Sequence, residues 1–103
     1  MHDVKNKFMP RFTELAKQRI RTGLRVAGYV AGDQALAVAR ELHSLAGEAG
    51  LLGLDDLVPL ARVAERAATE LHTAREEPQR VALEQALLEL HTAVRGVERQ
   101  LGT

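Results

Sequence analysis

A chain of 103 residues has room for one domain and one hydrophobic core, with little surplus stability. At 46% hydrophobic and 27% charged residues it reads as a soluble globular protein rather than a disordered tail, and the lack of cysteine excludes a disulfide framework and a thiolate metal site. The net charge is zero, yet residues 1–32 carry seven Lys or Arg against two Asp or Glu, so this basic first third balances an acidic remainder.

A basic opening segment raises the question of nucleic acid. The only aromatics are Phe8, Phe12 and Tyr29, too few for a base-stacking platform. The expectation is therefore a solvated helix face paired with acidic neighbours, and no nucleic-acid partner. No apolar run approaches the roughly 20 residues that span a bilayer, and the N-terminus lacks the apolar core of a signal peptide. A cytoplasmic protein without a membrane partner is expected.

Apolar residues recur at spacings of three and four, and no stretch alternates as a strand would. Pro10 suits the first turn of a helix over about 10–30, with Phe12, Leu15, Ala16, Val26 and Ala27 on its inner side. "GYVAGD" breaks it, and Asp33 is placed to N-cap a second helix over about 34–52 that stops at Gly53. Asp55 or Asp56 caps a third helix over about 56–74, with Pro59 in its first turn and Leu57, Leu60, Ala64, Ala67 and Leu71 inside. "REEPQ" ends that helix. Pro78 then opens a fourth, over about 79–100, carrying Leu83, Ala86, Leu87, Leu90, Val94, Val97 and Leu101. Four helices with short connectors predict an all-α, antiparallel four-helix bundle forming a single domain over 1–103.

Within the second helix, "HSLAGEAGLLG" (His43 to Gly53) places one histidine among three glycines. Each interior glycine costs a helix about 0.5–1 kcal/mol relative to alanine. At about 100° per residue, Val38, Leu42, Leu45, Ala49 and Leu52 define the core side, and His43 lies roughly 130° from its centre. Leu36, Arg40, Gly47 and Gly50 share the outward strip with it, and Ala39 and Ala46 lie between strip and core. The histidine thus stands on a surface cleared of bulk, open to a partner.

A lone histidine without cysteine, serine or acidic companions in a pocket makes a poor hydrolase but a good group carrier. Neutral imidazole is nucleophilic near pH 7 and can take a phosphoryl group on an exposed nitrogen. Phosphoryl transfer needs positioning and charge neutralisation, which a partner can supply. The chain has no Walker motif, glycine-rich nucleotide loop or carboxylate metal cluster.

"ELHSLAGEAGLLGLDDL" resembles the phosphoacceptor segment of histidine-containing phosphotransfer (HPt) domains, whose pattern is approximately His-x-Leu-Lys-Gly-x-Ala-x-x-x-Gly. His43, Leu45, Gly47, Ala49 and Gly53 match it, and the family's lysine is Ala46 here. The resemblance implies a four-helix bundle acting in a two-component phosphorelay as a phosphocarrier rather than an enzyme. It would be a free-standing protein or one module of a larger hybrid or chemotaxis-type kinase. His43 would exchange a phosphoryl group with a receiver-domain aspartate or a histidine kinase. No cofactor of its own is implied, magnesium being held by the receiver. Leu36, Ala39, Arg40, Ala46, Gly47 and Gly50 are the expected docking surface on a monomeric protein.

In chemotaxis-kinase-like members a glutamate on the third helix meets the histidine's other nitrogen, and an ungapped count from the motif reaches Glu65. An antiparallel third helix brings residue 65 level with His43, about 130° from its own core direction. The alternative is a surface glutamate paired with Arg62 or Arg66. Two alternatives to phosphate carriage stand beside it: an HPt-shaped module that docks receivers without phosphate, and a helical dimerisation scaffold. "ELH" recurs at His72 and His91, but no i, i+4 ligand pair exists and neither is followed by glycine at i+4, so no metal site is expected.

Overall fold

The structure, a computed structural model, describes the backbone of residues 2–29 and 32–101 and the side chains of residues 7–28 and 34–101. The described residues form four helices: α1 (His2–Tyr29), α2 (Gly32–Leu51), α3 (Leu57–Ala74) and α4 (Glu77–Leu101). Each packs on its neighbours in the sequence α1, α2, α3, α4, and α4 closes back on α1, which makes a four-helix bundle. The principal extents are 44 × 20 × 18 Å. The long one approximates the roughly 42 Å of a 28-residue helix at 1.5 Å per residue.

Side chains at three- and four-residue spacing meet in one core. Phe12, Ala16, Ile20, Val26 and Ala27 enter from α1, and Val38, Leu42, Leu45 and Ala49 from α2. Leu57, Ala61, Ala64, Ala68 and Leu71 enter from α3, and Leu83, Leu87, Leu90 and Val94 from α4. Leu52, Leu60 and Val97 are only partly buried, and Leu101 is exposed. Alanine is common on the facing surfaces of α2 and α3, so their backbones approach closely.

Pro10 does not open α1. The helix continues back to His2 and keeps Pro10 inside it. One further turn in the bundle brings Met9 to 7% exposure, and this burial offsets the hydrogen bond that the proline ring forfeits. Thr13, buried just after it, donates its hydroxyl to the Pro10 carbonyl at 3.0 Å. Helix α2 begins at Gly32, one residue ahead of the expected Asp33 cap, whose side chain lies outside the described residues. Asp56 occupies the N-cap position of α3 but makes no side-chain capping bond. Its backbone is already helical (φ −70°, ψ −25°), not the extended form in which a cap carboxylate reaches the first N–H groups.

Charge pairing joins the helices at their rims. Arg19 of α1 donates to Glu41 at 2.9 Å and to Glu48 at 2.7 Å, both on α2. The hydrogen bond to Glu48 is the main cause that raises the Arg19 guanidinium above its ordinary pKa. Lys17 bridges Glu14 of its own helix and Glu98 of α4. Part of the basic charge of α1 is thereby matched by the acidic remainder of the chain.

The two short turns are built differently. At the end of α2, the Leu54 N–H bonds to the Ala49 carbonyl at 2.8 Å and the Gly53 N–H to Gly50 at 3.2 Å, a Schellman motif. Its C′ residue, Gly53, sits at φ 75°. Helix α3 ends on Arg75 at φ 55°, ψ 40°, whose N–H bonds to the Leu71 carbonyl at 2.9 Å. Arginine in that left-handed region carries a Cβ clash that glycine lacks. Arg75→Gly is expected to raise unfolding stability by about 1 kcal/mol, and Gly53→Ala to lower it by about 1–2 kcal/mol. Chemical denaturation of the two variants checks this pair of opposite signs, and equal effects would contradict it.

Candidate functional site

The Gly53 turn sends α3 back along α2, so the two helices run antiparallel and residue 65 returns to the level of residue 43. His43 projects from the flank of α2 with its side chain 66% exposed. Glu65 leans from α3 across the seam with 26% of its side chain exposed, and its Oε2 lies 3.0 Å from His43 Nδ1. Glu65 is more sheltered than the angular count predicts. Ala61 and Ala68 are fully buried while Leu60 is only partly so, and this turns the core direction of α3 toward Glu65 by about 30°.

Arg62, one turn earlier on α3, completes the cluster. Its Nη1 is 3.4 Å from Glu65 Oε1 and 3.3 Å from His43 Nδ1. Nδ1 cannot donate to the carboxylate and accept from the guanidinium at once, so one contact decides the tautomer. The carboxylate contact is shorter and charge-assisted, and a lone pair on Nδ1 would face the carboxylate oxygen at 3.0 Å. The assigned tautomer therefore carries its proton on Nδ1 and donates it to Glu65. The basic lone pair is left on Nε2, toward solvent.

Around the imidazole the surface is low. A Cβ on Gly47 would meet nothing within 4 Å, and one on Gly50 would meet only Val58 Cγ2 at an ordinary 3.9 Å. Neither glycine serves internal packing. Gly53 does serve the fold, at the positive φ already described. Arg40 is exposed, as an outward position requires, whereas Leu36 is half-buried.

Ala39 and Ala46 do not belong to that surface. They are 5% and 1% exposed, buried by α3, so the expected docking surface loses both. The seven-residue interval that separates them faces the α2–α3 seam, which the five residues used to define the core direction left out. Leu51 was missed. It is 89% exposed and falls about 80° from His43 on the outward side of α2. The available signal was its place eight residues after the histidine, hidden by adjacency to Leu52. From the sequence, Arg62 is expected only as a partner for Glu65.

His72 and His91 are half-buried on α3 and α4. Among the described residues no group of three His, Cys, Asp or Glu side chains could hold a metal ion. No described helix is long and apolar enough to cross a membrane.

A family model described as the Hpt domain matches residues 10–99, nearly the whole bundle. The chain belongs to the Hpt family. The Hpt match and the four-helix architecture agree on the same segment, from Pro10 near the first buried turn to Arg99 in the last turn of α4. Membership of that family implies a phosphotransfer module of the phosphorelay type. No curated protein and no solved structure matches the chain at a significant level.

The tautomer assignment has a direct consequence. In the neutral imidazole of His43, ¹⁵N NMR is expected to show protonated Nδ1 and unprotonated Nε2, and Glu65→Ala is expected to shift the population toward protonated Nε2. An unchanged tautomer ratio in Glu65→Ala would mean that the carboxylate does not orient the ring.

Proposed function

We propose that His43 is the phosphoacceptor and that the protein relays a phosphoryl group to or from receiver-domain aspartates. The single observation that carries this reading is the contact of Nδ1 with the Glu65 carboxylate at 3.0 Å, on an imidazole that is otherwise 66% exposed. A module that only docked receivers would have no use for a fixed tautomer.

In the forward step, the Nε2 lone pair attacks the phosphorus of an aspartyl phosphate. A P–N bond forms, the acyl P–O bond breaks, and the leaving aspartate carboxylate keeps the electron pair. The Nδ1 proton stays where it is, so the product is a phosphorylated imidazolium whose positive charge faces Glu65. The reverse step returns the electron pair to Nε2. No proton changes place in either direction, and no general base is required on this chain. In-line geometry and magnesium come with the receiver, consistent with catalysis by positioning and charge neutralisation.

Leu36, Arg40, Gly47, Gly50 and Leu51 form the receiver-docking strip around His43. The exposed Leu51 and half-buried Leu36 beside glycines allow close backbone approach, and a small apolar patch suits transient association. The glycines forgo up to about 1 kcal/mol each of helix propensity without any internal contact that requires it. The same free-energy argument bears on the dimerisation alternative, in which the strip would be filled by a second copy.

Incubation with a labelled, phosphorylated receiver domain tests the reading. His43→Gln is expected to abolish acid-labile, base-stable label with helical content unchanged, and comparable label on that variant at His72 or His91 would overturn the assignment. Gly47→Ala is expected to raise thermal stability by up to about 1 kcal/mol, because its Cβ enters open space. Gly47→Arg is expected to keep the fold and cut the transfer rate at least tenfold by standing between His43 and its partner. Wild-type transfer by Gly47→Arg would move the docking surface elsewhere.

A further inference from the structure

We infer that Arg62 is the cation that holds the phosphoryl group on His43, swinging from Glu65 to the phosphoryl oxygens once Nε2 is modified. The inference rests on the reading of His43 as phosphoacceptor and adds to it a binding residue on α3.

The geometry begins with Arg62 Nη1, which is already 3.3 Å from the imidazole that would carry the group. The two ring nitrogens are separated by one carbon. A guanidinium in contact with Nδ1 therefore needs only rotation about its own outer torsions to meet oxygens on Nε2. Its present tie is loose. The Glu65 Oε1 contact is 3.4 Å long, between side chains 48% and 26% exposed, a surface pair that binds weakly. The guanidinium offers five donors in a planar fork, which suits a phosphoryl group better than a single contact to a carboxylate.

Charge gives the second reason. A phosphoryl dianion on Nε2 would share one imidazole with the Glu65 carboxylate on Nδ1, and like charges so placed repel. Arg62 already contacts both the carboxylate and the ring that would carry the phosphoryl group, so among the described cations it is the one placed to neutralise the two together. The remaining nearby arginines are placed less well. Arg40 lies one turn back on α2, away from the seam, and Arg66 points further out on α3. On α2, the position level with Arg62 is Ala46, which is uncharged and buried, so no side chain there competes for the space.

The test needs no partner. The full chain is phosphorylated with phosphoramidate: Nε2 attacks phosphorus, and ammonia leaves with the electron pair of the broken P–N bond. The phosphohistidine is then titrated by ³¹P NMR in wild type, R62Q and R62K. A contacting cation favours the dianion. R62Q is expected to raise the phosphoryl titration midpoint by about half a pH unit or more, roughly a threefold change in the dissociation constant, and R62K to restore most of the shift. A role in docking or folding would leave these midpoints unmoved in the isolated, folded protein. Matching titrations in R62Q and R62K, shifted from wild type or not, would overturn the inference. Failure of His43→Gln to remove the phosphohistidine signal would instead overturn the phosphoacceptor reading on which it rests.

Discussion

One hydrogen bond organises the site: Nδ1 of His43 to the carboxylate of Glu65, 3.0 Å across the seam between α2 and α3. An imidazole on an exposed helix flank is otherwise free to carry its proton on either nitrogen and to turn about its side-chain torsions. The carboxylate removes both freedoms. In the proposed transfer it also prepares a countercharge for the cation that would form on phosphorylation of Nε2, without any proton having to move. The bundle delivers this contact because two helices joined by a five-residue connection must run antiparallel, so that residues 43 and 65 meet at one level.

The glycines have separate physical roles that proximity in sequence obscures. Gly53 stops α2 in a left-handed conformation and sets the return of α3. Gly47 and Gly50 have no such duty, since a Cβ on either meets open space or an ordinary contact. Their cost to the helix is compensated outside this chain or not at all. The exposed strip from Leu36 to Leu51 is where such compensation is available, beside the imidazole rather than on the far side of the bundle. Family membership agrees with this division, for the match spans the bundle and includes the motif.

Much of this was legible in the amino-acid pattern. Apolar spacing is enough to count four helices and to separate the inward leucines of α2 from His43. Turn chemistry identifies Gly53 as the stop. The family resemblance points to Glu65, and an antiparallel return is enough to bring it level with His43. What was not legible concerns small residues. Alanine carries almost no hydrophobic weight in a face count, so Ala39, Ala46, Ala61 and Ala68 were underused, though they are buried at the closest helix contacts. Their omission placed Ala39 and Ala46 on the docking surface and made Glu65 look more exposed than it is. Pro10 misled for a different reason. A proline reads as a helix start, but the burial of Met9 carries the helix past it. Arg62 comes within 3.3 Å of the ring only through the packing of α3 on α2, a cross-helix contact that no spacing within one helix encodes.

The central claim is that Glu65 occupies Nδ1 and leaves Nε2 to react. The most direct measurement is the position of the phosphorus–nitrogen bond in the phosphorylated protein, read from ³¹P–¹⁵N coupling on ¹⁵N-labelled histidine after transfer from a receiver domain. The account predicts coupling to Nε2 of His43 with the Nδ1 proton retained. Coupling to Nδ1, which would require Glu65 to be displaced from the ring, would contradict it.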